Sequence, residues 1–135
     1  MKQIAEKLWQ GGTLLGGEIP EEVKVIFWML EEPTPAFQGI VVRYPIPDDD
    51  KGLDVTVFLR LLGLVNHCAE LPLLAVCQAG ENRSGLVCAM TLIMRGMEVE
   101  EAIKTVQKNG NANTHAHSFW NPGFVRQVRK WLTRE

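Results

Sequence analysis

Cys77 and Arg83 are separated by five residues in the segment Cys77-Gln78-Ala79-Gly80-Glu81-Asn82-Arg83-Ser84, which lies between two apolar runs. A cysteine attacks phosphorus as its thiolate, and a helix N-terminus with a neighbouring cation favours that form. The backbone N–H groups of residues 78 to 83, curled ahead of a first helical turn, would make a nest for phosphate oxygens. Arg83 adds a planar fork able to grip two of those oxygens and follow their charge as it redistributes. Gly80 allows the backbone a conformation that side chains disfavour. The Ser84 hydroxyl is placed to hydrogen-bond the cysteine sulfur, and Gly85 would let a helix start close to the loop. The set can therefore carry out nucleophilic attack on a phosphoryl group held by Gln78, Ala79, Gly80, Glu81, Asn82 and Arg83.

Those side chains need elements to position them. The run from Leu71 to Val76 is short and β-compatible, and the run from Gly85 to Met94 is long enough for a helix. The order is strand, tight loop, helix, which is the context such a pattern requires. A cysteine that merely packs at a strand end would predict neither the glycine nor the flanking elements.

Expelling an alcohol or phenol also calls for a general acid, which then serves as base for the attacking water. It must come from a separate loop. Tyr44-Pro45-Ile46-Pro47-Asp48-Asp49-Asp50 follows the strand-like Gly39 to Arg43 and precedes a helix. One of its three carboxylates is the candidate, in the order Asp48, Asp49, Asp50. The competing reading is a solvated acidic turn.

The segment Cys77 to Gly85 resembles the C-x-x-G-x-x-R-[ST]-G signature of the cysteine-dependent protein tyrosine phosphatase superfamily, especially its small dual-specificity group. Ile4 to Gly11, with Leu8-Trp9-Gln10-Gly11, is similar to the first strand and glycine turn of that group. Asn121-Pro122-Gly123-Phe124, leading into Val128 and Trp131, resembles its last helix. The stretch from Tyr44 resembles the aromatic-Pro-x-x-Asp segment in which related phosphatases hold their acid, and the match falls on Asp48. Two residues depart from the pattern: Val76 stands where the family usually has His, and Asn82 makes the loop resemble the RNA 5′-triphosphatase domains of capping enzymes as well.

The resemblance implies the cysteine phosphatase fold and hydrolysis of phosphomonoesters, phosphotyrosine and/or phosphoserine and phosphothreonine in proteins, through a phosphocysteine intermediate. Cys77 would attack, Arg83 and the loop amides would hold the phosphate, Asp48 would protonate the leaving oxygen, and Ser84 would assist the sulfur. No cofactor or metal is needed. The partner is a phosphorylated protein or another phosphomonoester. A nucleic-acid partner enters only through the alternative of an RNA or nucleotide 5′-triphosphatase using the same loop. A second alternative is a catalytically silent adaptor that binds phosphate in the same cradle.

Length, composition and charge set outer bounds. A chain of 135 residues forms one domain, residues 1–135, large enough for a real core. A net charge of −2 argues against a protein held to nucleic acid or membrane by bulk electrostatics. Arg126, Arg129, Lys130 and Arg134 crowd the C-terminal helix, where they complement the negative end of its dipole. The three cysteines have no paired spacing, so a reducing, cytoplasmic setting is expected, with Cys68 and Cys88 as packing residues. No signal-peptide pattern and no apolar run of spanning length is present, and a monomer is expected.

Strands are expected at Leu8 to Gln10, Val23 to Leu30, Ile40 to Tyr44 and Leu73 to Cys77, punctuated by Gly and Pro. Asp54 can cap a helix whose buried face is Val55, Phe58, Leu59, Leu62, Val65 and Ala69. Arg83 to Arg95 is apolar on nearly every side, marking a central buried helix ended by Gly96. Glu98 to Lys108 buries Val99, Ala102, Ile103 and Val106. The loop Asn111 to Trp120 contains His115 and His117, a pair without the surrounding ligands that a metal would need. Asn121 caps the last helix with Pro122 at its first position, and Phe124, Val125, Val128, Trp131 and Leu132 form its core stripe. This alternation implies an α/β fold with a mainly parallel central sheet flanked by helices, and the phosphate-binding loop between a strand and the central helix.

Overall fold

The computed structural model describes residues 1–13, 17–113 and 115–133. Its strands are β1 (Lys2–Ala5), β2 (Leu8–Gly12), β3 (Val25–Trp28), β4 (Ile40–Arg43) and β5 (Leu73–Cys77). Its helices are α1 (Val55–Cys68), α2 (Arg83–Met94), α3 (Val99–Asn109) and α4 (Pro122–Leu132). The sheet runs β1-β2-β5-β3-β4, with β1 antiparallel to β2 and every other pairing parallel. No helix among the described residues is long and apolar enough to cross a membrane.

The centre of the sheet is β5, because Leu73-Leu74-Ala75-Val76-Cys77 is apolar without interruption and buried throughout. Its side chains alternate. Leu73, Ala75 and Cys77 enter the core beneath the helices, while Leu74 and Val76 join Trp9, Ile26 and Trp28 on the other face. Cys77 pairs with Gly12 of β2, and Val76 pairs with Trp28 of β3. The cysteine thus stands at the carboxyl end of the central strand, where sheets of this class bind ligands. Val76 packs into the apolar cluster on the opposite face.

Buried from Ser84 to Ile93, α2 is the central helix. Gly96, at φ +106°, ends it in a Schellman turn: Gly96 N–H donates to Ile93 O and Met97 N–H to Leu92 O, each at 3.0 Å. The expected apolar stripe of α3 is the buried one. On α4, Phe124, Val125, Val128 and Leu132 are buried, and half-buried Trp131 meets Phe58 edge-on at 4.9 Å.

The strand expected at Leu8 to Gln10 is β2, and a further strand, β1, precedes it in a hairpin that turns through Glu6 and Lys7, with Lys7 in the left-handed region at φ 55°. One expectation needs correction. On α1 the buried face is Phe58, Leu61, Val65 and Cys68, whereas Val55 is 47% and Leu59 53% exposed and Leu62 is half-buried. Apolar residues surround α1 on several sides, so periodicity leaves the buried face undecided and packing on α2 and α4 selects it. Arg134 lies outside the described residues. Of the other basic residues on the last helix, Arg129 and Lys130 occupy the final turn of α4, where the dipole favours them.

Candidate active site

Between β5 and α2 the chain turns through residues 78 to 82, with Gly80 at φ +71°. That angle is easy only for glycine. Cys77 is 2% exposed, and its Sγ lies 3.2 Å from Ser84 Oγ in the first turn of α2. As a thiolate the sulfur would accept the hydroxyl proton of Ser84. Arg83 opens α2, and its Nε is the one buried side-chain nitrogen or oxygen among the described residues without a hydrogen-bond partner. Leaving a charged donor buried and unpaired is costly, so this nitrogen is suited to meet an oxyanion.

The loop is shaped from outside by side chains that grip its carbonyls. Asn113 Nδ2 donates to Ala79 O at 2.8 Å, Asn111 Nδ2 to Gly80 O at 3.2 Å, and Gln10 Nε2 to Glu81 O at 3.1 Å. Ser118 Oγ also reaches Glu81 O, at 3.4 Å. A planar trans peptide points its N–H opposite to its C=O, so turning the carbonyls of 79, 80 and 81 outward turns the N–H groups of 80, 81 and 82 inward. Among the described residues those N–H groups donate to no acceptor within the protein. A phosphate nest is the natural use of such an array.

The side chains of two loop residues are engaged outside the loop. Glu81 is buried, and its Oε2 accepts from Trp120 Nε1 at 2.9 Å, while Trp120 stacks on His115 at 3.7 Å. This holds the carboxylate of Glu81 in place on the side of the 111–121 loop. Asn82 Oδ1 accepts from Asn121 N–H at 2.9 Å, and its Nδ2 donates to Asp48 Oδ2 at 3.2 Å. Glu81 and Asn82 can contribute to phosphate binding through their backbone. Gln78 is exposed and, with Arg83, lines a cleft of about 380 Å³ whose other walls include Met29, Glu31, Pro45 and Ile46. The strand end of β3 and the segment before the three aspartates therefore flank the 78–83 loop.

Of the three aspartates, Asp48 reaches the site. Its Oδ2 accepts from Asn82 within the loop and its Oδ1 from Asn121 Nδ2 at 2.7 Å. Asp49 Oδ1 instead accepts from Lys51 N–H at 2.8 Å, closing a local turn. Asp50 contributes its backbone, since a β-carbon at Gly123 would stand 2.4 Å from Asp50 O. Gly85 also has a packing reason: a β-carbon there would meet the Phe119 side chain at 3.0 Å. The expectation that it merely eases the start of the helix is too narrow.

The other two cysteines are buried. Burial pushes the Cys88 thiol far up from its ordinary range, with the neighbouring Cys77 adding to the effect, and burial also raises Cys68. Both shifts disfavour the thiolate, the form that attacks.

Sequence reasoning missed Gln10, Asn111, Asn113, Ser118 and Trp120, and took Asn121 only as a helix cap. The signal was the asparagine-rich stretch after α3. A buried loop obliges its carbonyls to find donors, and amides near at hand are the obvious supply.

No protein-family model matches the chain, and no curated protein is a significant match. Solved structures do resemble it. The crystal structure of human DUSP28 superposes with a TM-score of 0.73 at 22% identity, covering 98% of this chain and 95% of that one. OH1 from the Orf virus, described as a tyrosine phosphatase with triple substrate specificity, gives 0.70 at 19% identity over 98% of this chain and 86% of its own. Human tyrosine phosphatase-like serine/threonine/tyrosine-interacting protein gives 0.66 at 19% identity over 97% and 94%. The chain has the α/β fold of the small dual-specificity phosphatases.

Proposed function

We propose that this protein is a cysteine-dependent phosphatase that hydrolyses phosphomonoesters, with phosphorylated tyrosine and/or serine and threonine in proteins as the substrate class. The observation that carries the reading is the unpaired, buried Nε of Arg83, at the far end of the loop that begins at Cys77 and turns its N–H groups inward. In the first step the Cys77 thiolate forms a bond to phosphorus as the P–O bond to the leaving group breaks, and Asp48 gives its proton to the departing oxygen. In the second, Asp48 takes a proton from water, whose oxygen attacks phosphorus and releases Cys77 as thiolate, assisted by Ser84. Arg83 and the loop amides hold the phosphoryl oxygens throughout. Because the β1–β2 hairpin supplies Gln10 and the segment before α4 supplies Asn121, we take the chain from β1 to α4 as one catalytic domain.

The triphosphatase reading rests on Asn82, and the bonds of that amide to Asp48 and Asn121 account for the residue without a nucleotide. The deciding assay is turnover of an aryl phosphate, a phosphotyrosine peptide and a 5′-triphosphate RNA by wild type, Cys77→Ser, Arg83→Ala and Asp48→Ala. Cys77→Ser should abolish phosphomonoester turnover, and Asp48→Ala should lower it about 10²–10⁴-fold. Phosphopeptide binding with no release of phosphate by wild type would favour the silent adaptor and defeat this proposal.

A further inference from the structure

Asp48 is held by two amides whose orientations are set by backbone groups. Asn121 Oδ1 accepts from Gly123 N–H at 2.9 Å and Phe124 N–H at 3.1 Å, capping α4, so its Nδ2 must face the other way. There it donates to Asp48 Oδ1 at 2.7 Å and to Asp49 O at 2.9 Å. Asn82 Oδ1 is likewise occupied by Asn121 N–H, which leaves its Nδ2 directed at Asp48 Oδ2. Neither amide can turn over without breaking a bond to the backbone.

Further contacts lock the acid loop to the same helix. Gln127, buried on α4, accepts from Leu53 N–H at 2.9 Å and donates to Leu53 O at 2.6 Å. A β-carbon at Gly123 would lie 2.3 Å from Gly52 N, so the two backbones are in direct contact. The segment from Asp48 to Leu53 is seated on α4 at both ends.

We propose that Asn121 is a positioning residue for proton transfer: it uses the N-cap of α4 as a fixed mount from which to hold Asp48 against the phosphate loop, with Asn82 as the second tether. This rests on the reading of Asp48 as the general acid. Oδ1 is the oxygen held on the α4 side and Oδ2 the one turned to the loop, so Oδ2 is the oxygen placed to give the proton. In the step, the Asp48 Oδ2–H bond breaks and an O–H bond forms on the leaving oxygen as its bond to phosphorus is lost. The Asp48 carboxylate then keeps both amide bonds and is ready to act as base.

The test separates positioning from mere stability. Asn121→Ser keeps a capping oxygen but has no amide to hold Asp48, and Asn121→Asp keeps the cap while setting a carboxylate against it. Both are to be assayed beside Asp48→Ala on aryl phosphates ranging from dinitrophenyl to phenyl phosphate, with melting temperatures measured in parallel. A general acid matters most for poor leaving groups. Asn121→Ser should lose about tenfold to a hundredfold in kcat on phenyl phosphate, against about threefold or less on the dinitrophenyl ester, with KM little changed. Asn121→Asp should lose at least as much on phenyl phosphate while melting no lower than Asn121→Ser. An equal loss by both Asn121 variants across the whole series, or none, would overturn the proposal. If Asp48→Ala itself shows no dependence on the leaving group, the assignment of the acid is what fails.

Discussion

Gly12, at the end of β2, runs so close to Gly80 that a β-carbon on Gly12 would stand 2.7 Å from Gly80 N. Ala79 C and Gln78 O would lie at 2.8 Å. The neighbouring strand is thus in backbone contact with the loop after Cys77, and the Cys77 carbonyl is held there by Thr13 N–H at 3.0 Å. Gly12→Ala should force the loop outward, lowering kcat/KM at least about tenfold while costing stability only about 1–3 kcal/mol. Steady-state kinetics and urea unfolding of the variant measure the two effects. Wild-type kinetics would show that the loop has room to give.

At the opposite end of the sheet, Arg95 ties three segments together. Its Nε donates to Ala69 O at 2.5 Å, Nη1 to Glu6 O at 2.7 Å, and Nη2 to Lys7 O at 2.9 Å and Leu71 O at 3.1 Å. A single ammonium cannot reproduce that fork. Arg95→Lys should therefore lower unfolding stability by about 1–3 kcal/mol, and Arg95→Met by more, with phosphatase activity per folded molecule retained. Denaturant midpoints with activity normalised to folded protein provide the check.

The thiols should respond to pH in a defined direction. Burial and Cys77 raise Cys88, so the folded state keeps that proton at a pH where the unfolded chain, near about 8.5, releases it. The stabilisation is complete below the unfolded value and is lost as pH rises above it. The melting temperature should fall between about pH 8.5 and 10 more steeply in wild type than in Cys88→Ala. Iodoacetamide at neutral pH should spare Cys88 and Cys68 until the protein is unfolded, which peptide mass mapping can follow.

A single ion pair joins α3 to α4 among the described residues. Arg129 Nε and Nη2 donate to Glu100 Oε2 and Oε1 at 2.9 and 3.0 Å, which holds Glu100 below the usual carboxylate range and raises Arg129. A depressed carboxylate stabilises the fold above its unfolded value, and that contribution disappears as pH falls through the folded one. Both side chains are more than half exposed, so the effect is small, about 0.2–1 kcal/mol. Glu100→Gln should melt slightly below wild type at pH 7 in low salt and equal to it near pH 2. A difference that persists at the acid end would assign the effect to packing.

The strand, tight loop and helix around Cys77 were legible in the chain because their parts are adjacent: Cys77, Gly80, Arg83 and Ser84 lie within eight residues, and apolar runs on each side declare a strand and a helix. The caps of α1 and α4 and the glycine stop after α2 are local in the same way. Asp48 could be narrowed to three neighbours but not singled out by charge alone, since Asp48, Asp49 and Asp50 are chemically alike. Tertiary structure sets Asp48 apart by bringing Asn82 and Asn121, 34 and 73 residues away, to its two oxygens. The buried face of α1, the contact of Gly12 with the loop and the grip of Asn111, Asn113 and Gln10 on its carbonyls were decided in the same way. Each joins segments far apart in the chain. Local preference and periodicity report what a residue can do within one element, whereas partners are chosen by packing, which satisfies backbone groups wherever the fold brings a donor within reach.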